Sequence, residues 1–245
     1  MKYDVEIFDV LDSTNKYFEE MDTSSVAEGS VVCAKSQRCG VGQQGNVWES
    51  EEGKNLTFSI LLKPTFLPIS DRYMLTKVVS LAMIDFLNKE IPGEPISIKW
   101  PNDIYVGKKK ICGILISNKF RANCFNAAIV GIGFNLNQTV FGKDIPNPIS
   151  LKMITGKEYD PSVMLSEILS SIAVRYEELQ SGETEILDEE YLKNLLYLNK
   201  KRQYFYKNTL VIGTIIGVGK EGFLYLETSD NKTIVCNLKE LRFIH

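Results

Sequence analysis

Two lysines mark the stretch of the sequence in which residue type and spacing say most about chemistry. The stretch reads IKWPNDIYVGKKKICGIL over residues 98–115, and Lys99 and Lys110 stand where two predicted strands enter an apolar core. A lysine in such a place needs an anionic partner or must lose its proton. At about 4 Å and an effective dielectric near 20, one lysine-phosphate contact is worth roughly 4 kcal/mol before desolvation. The stretch therefore favours a reaction whose transition state gathers negative charge.

The charge around these lysines supports that interpretation. Residues 99–121 hold six basic residues against one acidic residue, in a chain of formal net charge −3. Most lysine runs are solvated hairpin tips, and we interpret Lys108 and Lys109 in that way. Lys110 differs because a strand that is apolar on both faces follows it, which is typical of a central strand. The basic residues are Lys99, Lys108, Lys109, Lys110, Lys119 and Arg121.

Nearby polar residues can either bind a ligand or shape the backbone. Asp103 can cap a backbone group at its turn, help to hold Mg²⁺, or orient and deprotonate an incoming amine. The glycines of GIGFN at residues 131–135 indicate a close backbone approach, and Asn135 offers hydrogen bonds to a purine or ribose. The sequence alone leaves a structural and a functional role open for each residue.

A glycine-rich loop, GVGQQGNV at residues 40–47, fits the pattern G-x-G-x-x-G. A dinucleotide fold would need a helix opening at Gly45, but a polar stretch and a strand follow. A kinase would need the strings HRD and DFG, which do not occur in the sequence. A glycine loop between strands can still approach an anionic ligand closely, or it can be a mobile surface hairpin. Trp48, just beyond it, can cover an adenine or pack in the core.

Composition excludes several classes of function. A net charge of −3 does not indicate binding to nucleic acid by bulk charge. The first residues lack the pattern of a signal peptide. No apolar run approaches the ~20 residues that span a bilayer. We therefore expect a cytoplasmic protein without membrane contact. Five scattered cysteines indicate reduced thiols rather than a disulfide or zinc framework. The only histidine is His245, which disfavours histidine-based catalysis and metal binding.

Periodicity predicts a strand-rich chain with several helices. Apolar spacing predicts a helix over residues 70–90 with Ser70 as its N-cap, and a short helix that begins at Ser13 or Thr14. Further helices are predicted over residues 161–179, with Pro161 in the first position, and over residues 185–200. Strands are predicted at about residues 4–9, 30–36, 55–62, 95–100, 103–106, 110–117 and 124–136.

From Leu210 onward the sequence changes to short apolar runs cut by glycines. This pattern of short apolar runs and glycines predicts three or four short strands in a small barrel of about 40 residues. The predicted fold class is therefore α+β, with a mixed-sheet domain over residues 1–200 and a small all-β domain over residues 201–245.

Five motifs, taken in their order and spacing, resemble biotin protein ligases. They are DSTN at 12–15, the loop at 37–48, KWPND at 99–103, KICGIL at 110–115 and GIGFN at 131–135. The tail from about residue 200 is similar to the small SH3-like C-terminal domain of that family. The resemblance implies a catalytic domain of the class II aminoacyl-tRNA synthetase type, with a mixed β-sheet and flanking helices.

The resemblance also implies a two-step reaction. The biotin carboxylate attacks the α-phosphate of Mg-ATP to give biotinyl-AMP and pyrophosphate. The ε-amine of a lysine on a biotin carboxyl carrier domain then takes the acyl group. ATP, Mg²⁺, biotin and the carrier are the expected cofactors and partners, and homodimer formation is left open.

Residue by residue, the resemblance implies three sets of site residues. The catalytic residues would be Lys110 at the biotin carboxylate and α-phosphate, Lys99 at the phosphate, and Asp103 at the acceptor lysine or Mg²⁺. The biotin-binding residues would be Ser13, Thr14, Asn15, Gln37, Gly40, Val41, Gly42, Gln43, Lys110 and Gly113. The adenylate-binding residues would be Gly42, Gln43, Gln44, Trp48, Lys99, Asn102 and Asn135.

One departure concerns the glycine loop, which in the family commonly reads GRGRxGR. Here Val41, Gln43 and Asn46 replace all three arginines, so the loop lacks the fork-shaped cations that suit phosphate. We expect either that Arg38, Lys35 or another lysine compensates, or that the intermediate is held less tightly.

Other readings of the sequence remain. Because the DSTN motif starts at residue 12, a DNA-binding winged helix before it, and hence operator binding, is not expected. A lipoate or other acyl-carrier ligase would share the lysine strand but does not usually carry all five motifs. A non-catalytic module that binds a vitamin or a carrier is the alternative outside enzymes.

Overall fold

A seven-stranded mixed sheet forms the framework of the molecule. The computed structural model describes residues 1–122, 124–143, 145–238 and 240–244, without the side chain of Gln44. The strand order is β1-β2-β3-β7-β6-β5-β4, in which β1 and β2 are parallel and the other neighbours are antiparallel. The strands are β1 (Asp4–Leu11), β2 (Ser30–Gln37), β3 (Leu56–Leu62), β4 (Ile96–Lys99), β5 (Asp103–Val106), β6 (Lys109–Arg121) and β7 (Cys124–Phe134).

Helices cover the sheet, which explains why its central strands are apolar on both faces. All seven residues of β3 are buried. One face carries the main core, and the other carries a smaller cluster around Phe18 of the first helix. The prediction that the strand after Lys110 is central is confirmed, because β6 lies between β5 and β7. The helices are α1 (Thr14–Glu19), α2 (Met74–Glu90), α3 (Leu151–Thr155), α4 (Pro161–Gln180) and α5 (Thr184–Lys193).

Two predicted helix boundaries were wrong, and one helix was missed. Ser70 does not cap α2, because it lies in a short 3₁₀ turn over Ile69–Asp71 and its hydroxyl donates to Asp71. The last helix ends at Lys193 rather than at residue 200, and Tyr197 and Asn199 beyond it take positive φ angles that a helix cannot contain. The short helix α3 was not predicted. Pro161 does occupy the first turn of α4, as expected.

A second, antiparallel sheet follows with five strands rather than the three or four predicted. Its order is β11-β10-β9-β8-β12. The first strand was missed because it begins with three charged or polar residues and lies before the glycine-cut runs that start at Leu210. The α+β fold class is confirmed, whereas closure into an SH3-like barrel and the domain boundary at residue 200 remain predictions. The strands are β8 (Lys201–Tyr206), β9 (Thr209–Val218), β10 (Leu224–Thr228), β11 (Thr233–Cys236) and β12 (Leu241–Phe243).

Buried polar contacts hold the second sheet against the part of the chain that forms the seven-stranded sheet and its helices. The indole Nε1 of Trp100 donates to the carbonyl of Gly222 over 2.9 Å. The ammonium of Lys77, on α2, is fully buried; it pairs with Asp188 and donates to the carbonyl of Val218 over 3.3 Å. Since buried charges require such partners, these bonds specify how the two units pack.

Within the described residues, no helix combines the length and the apolar character that crossing a lipid bilayer requires.

Arg175 joins three helices and provides a test of this packing. Its guanidinium donates two hydrogen bonds, of 2.6 and 3.1 Å, to the carboxylate of Asp85 on α2. It also forms ion pairs with Glu178 at 3.0 Å and with Glu190 at 2.7 Å. Removing one partner of a buried charge network is strongly destabilising. We expect Arg175→Ala to lower the free energy of unfolding by about 3 kcal/mol in urea denaturation.

Lys193→Ala is the matched control, because Lys193 contacts Glu189 at 3.6 Å on the exposed surface of α5. We expect that change to stay within about 0.5 kcal/mol. Equal effects of the two substitutions would refute the structural role of Arg175.

Candidate active site

Cross-strand register places the polar residues of the site in two rows on one face of the large sheet. In the first row Lys99 pairs with Asp103, which pairs with Gly113, and Gly113 pairs with Gly133. Thr57 of β3 completes this row opposite Gly133. Directly opposed residues share a face, so distant parts of the sequence meet here.

The second row runs beside the first and contains Leu115, Gly131 and Ser59. It carries the polar end of the first of two clefts. This first cleft is lined by residues of α1, the glycine loop and both rows. The lining residues are Ser13, Thr14, Asn15, Gln37, Val41, Gly42, Gln43, Trp48, Thr57, Asn102, Lys110, Gly113, Ile114, Leu115, Gly131, Ile132 and Gly133.

A buried hydrogen-bond network closes one end of the first cleft. Ser59 Oγ lies 2.6 Å from Asn15 Oδ1 and 2.8 Å from Thr14 Oγ1. A hydroxyl has one proton, and Asn15 Oδ1 can only accept; Ser59 therefore donates to Asn15 and accepts from Thr14. This order leaves the two lone pairs of Thr14 Oγ1 available to an N–H donor. Gln37 Oε1 accepts from the Thr14 backbone N–H over 2.8 Å, which leaves the Gln37 amide nitrogen as a donor.

Glycines on β6 and β7 make room for the side chains above the sheet. A Cβ at Gly131 would stand 2.0 Å from Asn15 Oδ1, and one at Gly133 would stand 2.3 Å from the Trp48 ring. A Cβ at Gly113 would lie 3.0 Å from the same ring. The close approach that the sequence indicated therefore involves protein side chains.

The indole of Trp48 separates the first cleft from a second one and lines both. The Nζ of Lys110 lies 5.3 Å from the indole centroid, within the range of a cation–π contact. The indole Nε1 is buried and has no hydrogen-bond partner in the described part of the chain. Because an unpaired buried donor is costly, a ligand that supplies an acceptor here would be favoured.

The second cleft lies on the far side of Trp48. Asn135, at its edge, donates from Nδ2 to the carbonyl of Ile149 over 3.0 Å and to that of Lys110 over 3.4 Å. Its amide donor is therefore used by the backbone, and the amide oxygen is the group left for a ligand. The lining residues are Asn46, Val47, Trp48, Glu49, Lys99, Asp103, Tyr105, Lys110, Asn135, Phe141, Ile145, Pro146 and Pro148.

Lys110 stands at the junction of the two clefts and forms an ion pair with Asp103 at 2.6 Å. A β-bulge between Ile104 and Tyr105 shifts the register, so that Tyr105 faces Lys110. Without the bulge, Lys110 and Gly113, which are three residues apart, would point to opposite faces of the sheet. The bulge therefore brings Lys110 to the face that carries Asp103.

Lys99 forms the second cationic group of the second cleft. Its ammonium donates to the hydroxyl of Tyr105 over 3.0 Å. Burial lowers the pKa of Lys99 below its usual 10.5; the carboxylate of Asp103 opposes this shift, and the charge of Lys110 adds to it. Burial and the charge of Asp103 raise the pKa of the Tyr105 phenol, which therefore remains protonated.

The glycine loop folds into a small hairpin at the mouth of the first cleft. Val41 and Val47 form an antiparallel bridge, and the Gly42 N–H donates to the Asn46 carbonyl over 2.7 Å. A Cβ at Gly40 would stand 2.4 Å from the carbonyl oxygen of Trp48, so this glycine permits the chain crossing.

The two cations named as substitutes for the missing loop arginines do not line either cleft. Lys35 pairs with Asp9 at 2.7 Å, and Arg38 lies 3.6 Å from Asp12, all on the exposed surface. Compensation by these two residues therefore finds no support in this arrangement.

Most residues proposed from the sequence lie at the two clefts. Of the proposed biotin-binding residues, Gly40 alone does not line the first cleft. Of the proposed adenylate residues, Trp48, Lys99 and Asn135 line the second cleft, whereas Gly42, Gln43 and Asn102 line the first. The side chain of Gln44 and the whole of His245 lie outside the described residues.

Several site residues were missed by sequence reasoning. Ser59 and Thr57 are hydroxyl residues within an otherwise apolar strand, and that interruption was the available signal. Tyr105 was hidden in a strand, and Phe141 lies in a loop without a motif. Only the fold brings these residues to the clefts.

Asp103 as a ligand of Mg²⁺ stays a prediction. Asp103 is bound to Lys110, and the described residues contain no group of three or more acidic, histidine or cysteine side chains that could hold a metal. We therefore treat Mg²⁺ as part of a nucleotide substrate.

Comparison with known proteins identifies the family. Residues 7–135 match the model of the biotin/lipoate A/B protein ligase family. The chain is 32% identical over 230 residues to the bifunctional ligase/repressor BirA of Bacillus subtilis, covering 91% of this chain and 69% of that protein. The chain belongs to the biotin/lipoate A/B protein ligase family.

Other members of this ligase family agree in sequence and in fold. The biotin--[acetyl-CoA-carboxylase] ligase of Paracoccus denitrificans is 30% identical over 168 residues, which cover 66% of this chain and 68% of that one. The biotin protein ligase from Aquifex aeolicus, solved in complex with biotin and ATP, superimposes with a TM-score of 0.80 at 27% identity, covering 98% of both chains. The family fold thus extends over the second sheet.

The close fit between Gly133 and Trp48 can be tested by fluorescence. We expect Gly133→Ala to push the indole away from the sheet, since its Cβ would overlap the ring. With the contribution of Trp100 unchanged, the tryptophan emission should shift to the red and acrylamide quenching should increase.

Gly142→Ala is the control, because the added Cβ would meet the Glu49 carboxylate, at the end of a flexible side chain, at 3.0 Å. Unchanged emission and quenching in Gly133→Ala would contradict the placement of Trp48.

Proposed function

We propose that the chain is an ATP-dependent biotin protein ligase that forms biotinyl-AMP and transfers biotin to a carrier lysine. The observation that supports this most is that Lys110 stands at the junction of a cleft with a polar closed end and a second cleft that contains Lys99, Trp48 and Asn135. Family membership and the likeness to a ligase solved with biotin and ATP agree with this assignment.

The polar end of the first cleft suits the ureido ring of biotin. Thr14 Oγ1 is ordered to accept from a ureido N–H, and the Gln37 amide nitrogen can donate to the ureido carbonyl. The dithiolane of lipoate offers no such hydrogen bonds, so it would leave these groups unpaired at a cost of about 1–3 kcal/mol each. This difference favours biotin over lipoate.

In the first step an oxygen of the biotin carboxylate attacks the α-phosphorus of Mg-ATP. The new P–O bond forms as the bond to the β-phosphate breaks, and pyrophosphate leaves with the electron pair. Lys110 brings the two anions together from the junction, and Lys99 stabilises the phosphate from within the second cleft. Both lysines act as fixed cations, so the step needs no histidine.

In the second step the ε-amine of a carrier lysine attacks the acyl carbon. The C–N bond forms, the C–O bond to phosphate breaks, and AMP leaves. Asp103, in ion-pair contact with Lys110, faces this point and can orient the amine and accept its proton. The expected acceptor is a biotin carboxyl carrier domain, and a homodimer is compatible with this scheme.

The loop without arginine offers the intermediate uncharged hydrogen-bonding groups rather than positive charge. Gln43 lines the first cleft at a position where the family loop commonly carries arginine, and its side-chain amide can donate a hydrogen bond there. We expect biotinyl-AMP to leave faster than from a ligase with an arginine loop.

Lys110→Ala tests whether the site is catalytic or only binds its ligands. We expect biotin-dependent exchange of pyrophosphate into ATP to fall at least about 100-fold, since a charge that stabilises the transition state is lost. The control Lys109→Ala removes an exposed lysine one residue away and should exchange normally. If Lys110→Ala changed only the affinity for biotin, the site would be a binding module.

The lowered pKa of Lys99 predicts a specific pH dependence. Because only the ammonium form stabilises phosphate, adenylation should decline as pH rises through a pKa below 10.5. Lys99→Arg keeps the charge and should shift this alkaline limb of the pH–rate profile to higher pH, whereas Lys109→Arg should leave it unchanged. An alkaline limb identical in all three proteins would exclude this role for Lys99.

A further inference from the structure

Two hydrogen-bonded tyrosine hydroxyls hold the segment that leads to Asp103. The hydroxyl of Tyr73, the residue before α2, donates to the carbonyl of Pro101 over 2.7 Å. It also lies 3.1 Å from the hydroxyl of Tyr191 on α5. Burial raises the pKa of both phenols, so each keeps its one proton. Since Tyr73 spends its proton on Pro101, it must accept from Tyr191. The bonds therefore run in one direction, from α5 through Tyr73 to the backbone beside the active site.

Packing on several sides fixes the two phenol rings. Tyr191 is fully buried, and its ring meets that of Tyr73 edge to face with 6.1 Å between the centroids. The ammonium of Lys77, which pairs with Asp188, lies 5.4 Å from the Tyr191 centroid and 5.9 Å from the Tyr73 centroid. On another side a Cβ at Gly222 would stand 2.4 Å from the Tyr73 ring, so only glycine leaves room for it. The Tyr73 ring thus occupies a slot that keeps its hydroxyl directed at Pro101.

Three successive residues before the proposed base of the second step are each held by a hydrogen bond. Trp100 donates from Nε1 to the carbonyl of Gly222 over 2.9 Å. Pro101 accepts the bond described above. Asn102 donates from Nδ2 to the carbonyl of Ile114 over 2.7 Å and accepts from its N–H over 2.9 Å. The bond to Pro101 is the one that ties this segment to the helices.

Lys110, the ion-pair partner of Asp103, is fixed independently of this segment. Its backbone N–H donates to the carbonyl of Asn147 over 2.7 Å, and its carbonyl accepts from the N–H of Ile149 over 2.9 Å. Loss of the bond from Tyr73 would therefore displace Asp103 while the backbone of Lys110 keeps its place. Because the proposed scheme uses Lys110 for adenylation and Asp103 for acyl transfer, such a displacement should affect the second step.

We propose that Tyr73 is a positioning residue for acyl transfer, and that its hydroxyl, ordered by Tyr191, sets the place of the Asp103 carboxylate. The proposal rests on the proposed function and adds to it how the base of the second step is held. Tyr73 acts through Pro101 and Asp103 rather than by contact with the reacting atoms. Helices on the far side of the sheet then have a defined task in the reaction.

Tyr73→Phe tests the proposal, because it removes the hydroxyl and keeps the ring. With a purified apo biotin carboxyl carrier domain, we expect kcat for transfer to fall about tenfold and the KM for the carrier to stay within about twofold, since the base is displaced and the carrier still binds. Biotin-dependent exchange of pyrophosphate into ATP should stay within about twofold, as should formation of biotinyl hydroxamate from hydroxylamine. Hydroxylamine is largely uncharged at neutral pH and needs no base to attack the acyl carbon.

Tyr176→Phe is the matched control for lost stability. Tyr176 is fully buried, and its hydroxyl donates to Glu28 over 2.9 Å, but it lines neither cleft. We expect this variant to lower the midpoint of urea denaturation, as Tyr73→Phe does, and to leave kcat for transfer unchanged. Equal kcat values in Tyr73→Phe and Tyr176→Phe would overturn the proposal. Equal losses of exchange and transfer in Tyr73→Phe would overturn it as well.

Tyr191→Phe tests the direction of the bonds. It removes the donor to Tyr73, and we expect kcat for transfer to fall about threefold, because a hydroxyl that accepts a bond is the stronger donor. The double variant Tyr73→Phe/Tyr191→Phe should match Tyr73→Phe alone, since Tyr191 acts only through Tyr73. Losses that multiply in the double variant would overturn the role of Tyr191. Absence of biotin-dependent exchange in the wild-type protein would instead refute the proposed function.

Discussion

The ion pair between Lys110 and Asp103 is the interaction around which the rest of the site is arranged. The proposed reaction needs a cation where the carboxylate and the α-phosphate are brought together. That cation must also have a stabilising partner before these two anions bind. The 2.6 Å contact with Asp103 meets the second need, and the position of Lys110 at the junction of two clefts meets the first. With side chains only 25% and 19% exposed, the pair is less screened than a surface pair.

The sheet is built so that this pair can exist. Register aligns Asp103 with Gly113 and Gly133, and the absent side chains of these glycines leave room for Trp48 and the lysine. The bulge in β5–β6 turns Lys110 to the same face. Hydrogen bonds among Thr14, Asn15 and Ser59 close one end of the first cleft. The bonds from Trp100 to Gly222 and from Tyr73 to Pro101 fix the segment that leads to Asp103.

Much of this could be predicted from sequence, and the failures have physical causes. The pattern of apolar and polar residues predicted the strands of the large sheet, because central and half-buried strands have distinct apolar patterns. The motifs identified Lys110, Trp48 and the glycines, since glycines within strands are uncommon. The bulge, the clash that makes Gly133 necessary, and the role of Ser59 depend on contacts between distant residues. Local pattern could not specify the start of α2 either, because the 3₁₀ turn before it competes with a helix cap.

Native mass spectrometry after incubation with biotin and Mg-ATP tests the central claim most directly. If the two clefts join at one cation, the chain should carry a non-covalent ligand with the mass of biotinyl-AMP, and pyrophosphate should appear in solution. Detection of ATP and biotin bound together, or singly, with no adenylate and no pyrophosphate would contradict the account.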